Sequence, residues 1–311
     1  MPPVTTSISP IARYGALLDA VRGLRWPAAR RVPGGLPGAH RSRMRGLSPE
    51  FTEYRPYRQG DDPRRLDWKL LARSDRAYIR LADDHAVLAT HFVVDASSSM
   101  LFPEESLAKW ETARSLTIAL GSVVHATGDP IALLVPNPRG GVRLAPRSRR
   151  GAVNDLARAL AEAPTGGDAP LAPALGRVPP HARAVVVSDF LGDAEALLGV
   201  ARERVAAGGE IHAIHVIARD ELSPPQGARL AVDPERDDVR RPLAGDARES
   251  YMRAFAEWRL QLAASWRGAG AGFTTAITDE PLESVLRLVI APREIAAARR
   301  AATGRESPQA R

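Results

Sequence analysis

The stretch "HFVVDASSSM" (residues 91–100) decides how this chain is read. A short apolar, β-branched run stops at an acid, and three serines follow. Four other runs of strand length share its character: "IALLV" (131–135), "AVVVSDF" (184–190), "IHAIHVI" (211–217) and "GFTTAIT" (272–278). Between them lie segments with helical spacing at about 104–126, 151–163, 193–207 and 247–268, and a last helix at about 281–290. Alternation of near-continuous apolar strands with helices predicts an α/β fold, a mostly parallel sheet with helices on both faces. In such sheets ligands bind beyond the carboxyl ends of the strands, where strand order reverses. Asp95 and Asp189 both stand at a strand end of that kind.

An unpaired buried carboxylate is expensive, so two acids in such positions call for a partner. A hard divalent cation would satisfy both, and serine hydroxyls can complete an oxygen shell. Asp95, Ser97 and Ser99 form a D-x-S-x-S pattern that can aim three oxygens at one centre. The plainer alternative is capping. Ser97, Ser98 or Ser99 would open the following helix, with Glu104 or Glu105 in its first turn.

Composition sets the outer limits. The 311 residues, 44% of them hydrophobic, suffice for a large buried core. Cysteine is absent, which excludes disulfides, thiolate metal sites and cysteine nucleophiles and fits a reducing compartment. Neither a secretory signal nor an apolar run of the ~20 residues that span a bilayer is visible, so a soluble, cytoplasmic protein is expected. The net charge is +7 and arginine carries nearly all the positive charge, Lys69 and Lys109 being the only lysines. The excess lies in the first fifty residues and the last twenty. A basic surface binder of nucleic acid or anionic membrane is therefore one rival reading, although aromatics are sparse there and no recognition-helix signature appears.

Enzyme readings find less support. A serine hydrolase needs G-x-S-x-G at a strand-to-helix elbow and a partnered histidine, and "DASSSM" has neither flanking glycine. His181 precedes a strand. His212 and His215, three apart on a strand, face opposite sides. His40, His85, His91 and His125 show no metal spacing, and no phosphate-cradling G-x-x-x-x-G-K-[ST] loop exists. A metal-dependent hydrolase using the same strand-end carboxylates stands as the second rival.

"VVDASSSM" together with "VVVSDF" resembles the metal-ion-dependent adhesion site of von Willebrand factor type A domains. The segment "YRPYRQGDDPRRLDWKLLARSDRAYIRL" (54–81) resembles the signature block of the bacterial family called domain of unknown function 58. "YMRAF" (251–255) and "TTAITDEPLESVLRLV" (274–289) extend the likeness over roughly residues 45–291. The resemblance implies a von Willebrand factor A-like fold holding Mg²⁺, or a similar hard cation, through Asp95, Ser97, Ser99 and Asp189. It also implies a non-enzymatic accessory protein that works with a MoxR-type AAA+ ATPase in assembly, remodelling or metal loading of client complexes. One position departs from the pattern. Where such sites read Gly-Gly-Thr, this chain has "TGGDAPLAPAL" (165–175). Either the ion is lost, or Asp168 replaces the threonine, tightening the metal while weakening its pull on an acidic group of the partner.

The expected organisation is an N-terminal amphipathic helix (1–32), a Gly/Pro/Arg-rich linker (33–46), the signature segment (47–85), the von Willebrand factor A-like domain (86–292) and a basic tail (293–311). Within the signature segment, Gly60-Asp61-Asp62-Pro63 reads as a turn, and Trp68 as a packing anchor against the core. Asp61, Asp62 and Asp67 are candidates for a second cation site, although the arginines interleaved with them favour ion pairs. Arg55, Arg58, Asp61, Asp62 and Arg65 are the candidates for a partner-docking surface. Residues 219–246 are expected to be loop with a short hairpin.

Overall fold

The computed structural model describes residues 10–29, 37–45, 53–58, 66–74, 76–81, 83–225, 230–233, 236–242 and 246–291. Near the N-terminus a 3-10 turn, Ala12–Tyr14, leads into the short helix α1, Gly15–Ala20. Strand β1 (Pro37–Arg45) pairs antiparallel with β4 (Asp83–Ala86), and β2 (Glu53–Pro56) with β3 (Tyr78–Leu81). Residues 37–45, read from composition as linker, are thus a strand, its partner β4 supplying a ladder that register shifts interrupt between Pro37 and His40 and between Arg41 and Arg45. Helix α2 (Trp68–Ser74) lies between these strands. Asp67 Oδ1 accepts from the backbone N–H groups of Lys69 (3.1 Å) and Leu70 (3.0 Å) and so caps that helix. Trp68 is 63% exposed, which overturns its reading as a packing anchor, since the first turn of α2 leaves its ring in solvent.

The core begins with β5 (Thr90–Val94) and α3 (Ala108–Ala126), followed by β6 (Ile131–Val135), β7 (Val142–Arg147) and α4 (Ala152–Ala161). Then come α5 (Leu171–Gly176), β8 (Arg183–Ser188), α6 (Ala194–Ala206), β9 (Glu210–Ile217) and α7 (Arg219–Leu222). A hairpin of β10 (Leu230–Asp233) and β11 (Arg236–Pro242) precedes α8 (Asp246–Gly268), β12 (Gly272–Ile277) and α9 (Leu282–Ile290). The hairpin falls inside the segment where one was expected.

Six strands form one sheet in the order β12-β9-β8-β5-β6-β7, parallel except for the edge strand β7. The order runs outward in both directions from the β5–β8 pair, which makes that pair the switch point of a doubly wound sheet. Strands β5, β6, β8 and β9 are buried along their whole length. That burial on both faces is why they read as continuous apolar runs.

Two apolar layers enclose the sheet. Helices α3, α4 and α9 bury Leu116, Leu120, Leu156 and Leu286 against one face, together with Tyr14, Val21 and Trp26 from the N-terminal segment. Helices α5, α6 and α8 bury Leu175, Leu197 and Trp266 against the other. Trp266 and Leu116 are fully buried; a side chain of that kind contributes about 1.5–3 kcal/mol. His212 hydrogen-bonds Thr274 at 2.8 Å while His215 packs against Phe190 and Phe273, so the two histidines face opposite sides of β9.

Candidate functional site at the β5–β8 switch point

Pleat and register decide where the strand-end side chains go. Val93 pairs with Val186, and Val94 with Val187. Val94 and Val187 point into the α3 layer, Val93 and Val186 into the α5/α6 layer. Continuing the alternation past the strand ends turns Asp95 and Ser188 toward α5 and α6, and Asp189 toward α3. The contacts agree. Asp95 N donates to Val187 O at 2.9 Å, Ser188 Oγ donates to Asp95 Oδ2 at 2.6 Å, and Lys109 Nζ donates to Asp189 Oδ2 at 2.6 Å. The two aspartates therefore serve opposite faces of one sheet edge.

On the α5/α6 side lies a small open cleft of about 20 Å³, lined by Asp95, Ser97, Asp168, Ser188, Phe190 and Asp193 among others. That volume holds roughly one water or a single ion. Ser97 N donates to Asp95 Oδ1 at 2.9 Å, and the hydroxyls of Ser97 and Ser99 are 3.1 Å apart. None of the three serines caps the 3-10 turn Ser98–Leu101, so the capping reading of "SSS" falls away. Ser98 instead closes a loop–loop contact. Its Oγ accepts from Gly167 N (2.9 Å), its N donates to Gly167 O (3.1 Å), and Gly166 N donates to Ala96 O (2.7 Å). Asn137 Nδ2 holds the same loop through Pro164 O (3.1 Å) and Gly166 O (2.9 Å). Gly166 and Gly167, at φ of 81° and 77°, supply the left-handed turn that carries Asp168 to the cleft.

Asp95 is almost fully buried. Burial first, and the nearby Asp189 carboxylate second, raise its pKa from 3.8 to about 6, against the lowering pull of the Ser188 and Ser97 hydrogen bonds. No lysine or arginine among the described residues pairs with it. On the α3 side, Lys109 is wholly buried and bridges Asp189 (2.6 Å) and Glu221 (2.7 Å). Burial opposes its charge, but the two carboxylates outweigh burial and hold its ammonium above the usual lysine range. Burial raises the Glu221 carboxyl, whose Oε2 also accepts from Ala218 N at 2.7 Å. Phe190, which lines the cleft, is in the left-handed region at φ 57°. Its N–H donates to Ser188 Oγ at 2.9 Å, and its ring packs on Trp266 and His215. A non-glycine residue there costs of order 1 kcal/mol and persists because the surroundings fix it.

For the expected cation set, Asp95, Ser97 and Asp168 line the cleft, Ser99 backs Ser97, and Asp189 is held by Lys109. Among the described residues no cluster of three or more His, Asp and Glu side chains is arranged to hold a metal. The donors facing the cleft still fit a hard cation in kind, being all oxygens around one uncompensated carboxylate. Sequence reasoning missed Ser188, Asp193, Asn137, Lys109 and Glu221. Of the docking candidates, Arg58 is exposed and Arg55 lies on β2, while Asp61, Asp62 and Arg65 lie outside the described residues.

A six-stranded sheet of this order, parallel but for one edge strand, makes this a doubly wound α/β domain, in keeping with the von Willebrand factor A-like fold that was expected. The chain belongs to the family described as "Protein of unknown function DUF58", which matches residues 53–261. Uncharacterised proteins of Mycobacterium tuberculosis and Mycobacterium bovis are each 31% identical over 287 residues, covering 89% of this chain and 90% of each relative. Solved structures similar to it include the conserved hypothetical protein BatB of Bacteroides thetaiotaomicron (TM-score 0.42, 14% identity, 68% of this chain and 99% of that one). The SpRpn10 VWA domain is another (TM-score 0.35, 14% identity, 65% and 94%). No helix among the described residues is long and apolar enough to cross a membrane.

Proposed function

We propose that this chain is a non-enzymatic protein-binding module that docks its partner at the Asp95 cleft through a hard divalent cation, Mg²⁺ by chemistry. Asp95, Ser97 and Ser99 would hold the ion, with Asp168 at the rim and Asp189 acting from behind the sheet edge. When bound, the ion supplies residual positive charge that attracts an acidic group of the partner. The observation that carries the reading is Asp95 itself. It is a buried carboxylate with no cation beside it among the described residues, opening on a surface cleft next to hydroxyls that no histidine activates. A buried carboxylate without a paired cation costs stability, and a bound cation would offset that cost. The partner inferred from the family resemblance is a MoxR-type AAA+ ATPase, with this chain as its accessory in assembly, remodelling or metal loading of client complexes.

The test is capture of the partner from the native host by the full chain, with and without a chelator, beside the Asp95→Ala variant. The expected result is a complex weakened at least tenfold by Asp95→Ala or by chelation, with the variant still folded by circular dichroism. A complex indifferent to both treatments rules out cation-mediated docking.

A further inference from the structure

We propose that Lys109 is a built-in cation of the strand-end site, neutralising Asp189 from the α3 side and thereby holding down the affinity of the Asp95 cleft for a divalent ion. The inference rests on the reading of that cleft as a cation site and adds the residue that sets its strength.

Three observations converge on Lys109. In a chain where arginine carries nearly all the positive charge, it is one of only two lysines. It is fully buried, and its ammonium lies 2.6 Å from Asp189 and 2.7 Å from Glu221. A compact point charge with three donors can bridge both carboxylates at once. Asp189 directly follows Ser188, whose Oγ donates to Asp95 Oδ2 at 2.6 Å, so its carboxylate stands beside Asp95 as a like charge. A negative charge felt at Asp95 is felt by any cation beside Asp95, and a buried pair is little screened by salt. With Lys109 in place that field is reduced, because the ammonium lies 2.6 Å from the carboxylate that produces it. Without it, the Asp189 charge acts on the cleft unopposed. A residue that merely tied α3 to β8 and α7 would leave cation affinity unchanged when replaced by an isosteric apolar group. The two roles therefore separate by experiment.

The experiment is calorimetric titration of the full chain with Mg²⁺, read together with thermal unfolding with and without the ion. The variants are wild type, Lys109→Met, and Lys109→Met with Glu221→Gln, which keeps a second buried carboxylate from being stranded if the single variant fails to fold. The expected result is Mg²⁺ affinity at least tenfold higher in the double variant than in Glu221→Gln, from which it differs only by the ammonium, with a matching Mg²⁺-dependent rise in melting temperature. Glu221→Gln alone should give no gain, and adding Asp189→Asn should abolish it. Equal affinities in the Glu221→Gln and double variants, both lost on Asp95→Asn, would overturn the role of Lys109 and leave the cleft a cation site. Binding by the double variant alone would support Lys109 and overturn cation docking in the native chain. No binding by any variant overturns both.

Discussion

Asp95 is the residue on which the fold loses stability and the site gains a handle. Its carboxyl titrates near 6 in the folded chain against an ordinary 3.8, so the folded state holds that proton more tightly than the unfolded state does. Stability from this group is therefore fully present below about pH 4, falls as pH rises through the window between 3.8 and about 6, and stays lower above it. Asp95→Asn should abolish that slope. Without divalent ions it should be more stable than wild type at pH 7.5 by roughly 1–3 kcal/mol, and near equal to it at pH 4, by urea denaturation. A variant less stable than wild type at pH 7.5 would mean that the native carboxylate already has a compensating charge. Asp95, Ser97 and the serine cluster were legible because a polar run after an apolar strand is a local pattern. Ser188 and Lys109 were not. The first acts on Asp95 through the register of β5 against β8, and the second reaches Asp189 across 80 residues, and neither register nor long-range packing is written in spacing.

Among the elements, the loop carrying Asp168 is the most tightly specified. A Cβ on Gly167 would lie 2.9 Å from Pro138 Cγ, and the residue's φ of +77° already disfavours a side chain. Gly167→Ala should cost about 1–3 kcal/mol in chemical denaturation and weaken cation binding, because it loosens the Ser98–Gly167 contacts that set Asp168 against the cleft. An unchanged midpoint would show that the loop adjusts freely. The apolar strands of the central sheet were legible in the sequence to within a residue or so at their ends, their full burial leaving an unbroken signal. Strand β7 was not, since its pattern is mostly exposed and interrupted by Pro146, and it pairs only at the sheet edge. Helix α5 was hidden in the same way by Pro173. That residue lies in the first turn, where a missing N–H costs no hydrogen bond.

For the whole molecule, the N-terminal segment closes the end of the sheet opposite the cleft. Arg183, buried at the start of β8, donates to Trp26 O (3.3 Å) and Pro27 O (2.8 Å), pairs with Glu210 (3.1 Å) and stacks 4.3 Å over the Trp26 ring. Removing residues 1–29 should lower unfolding free energy by on the order of 3–6 kcal/mol, read as a fall in the urea midpoint, because Tyr14, Val21 and Trp26 lose their burial. An unshifted midpoint would show that the segment does not belong to the cooperative unit. The N-terminal amphipathic helix expected within residues 1–32 is an α-helix only over Gly15–Ala20 among the described residues, the rest of the described segment being shaped by contacts no periodicity encodes.

The one-residue offset that sends Asp95 and Asp189 to opposite faces has a consequence for how such a domain diversifies. On the proposed reading, the surface a partner would meet is drawn by the loops around Asp95, while the charge behind it would be set by Lys109 on α3 and Glu221 on α7, out of the partner's sight. Substitutions at the hidden positions can therefore change how strongly the site holds an ion while its recognised outline stays the same. Under the proposed function, such variants would differ in grip without changing what they grasp.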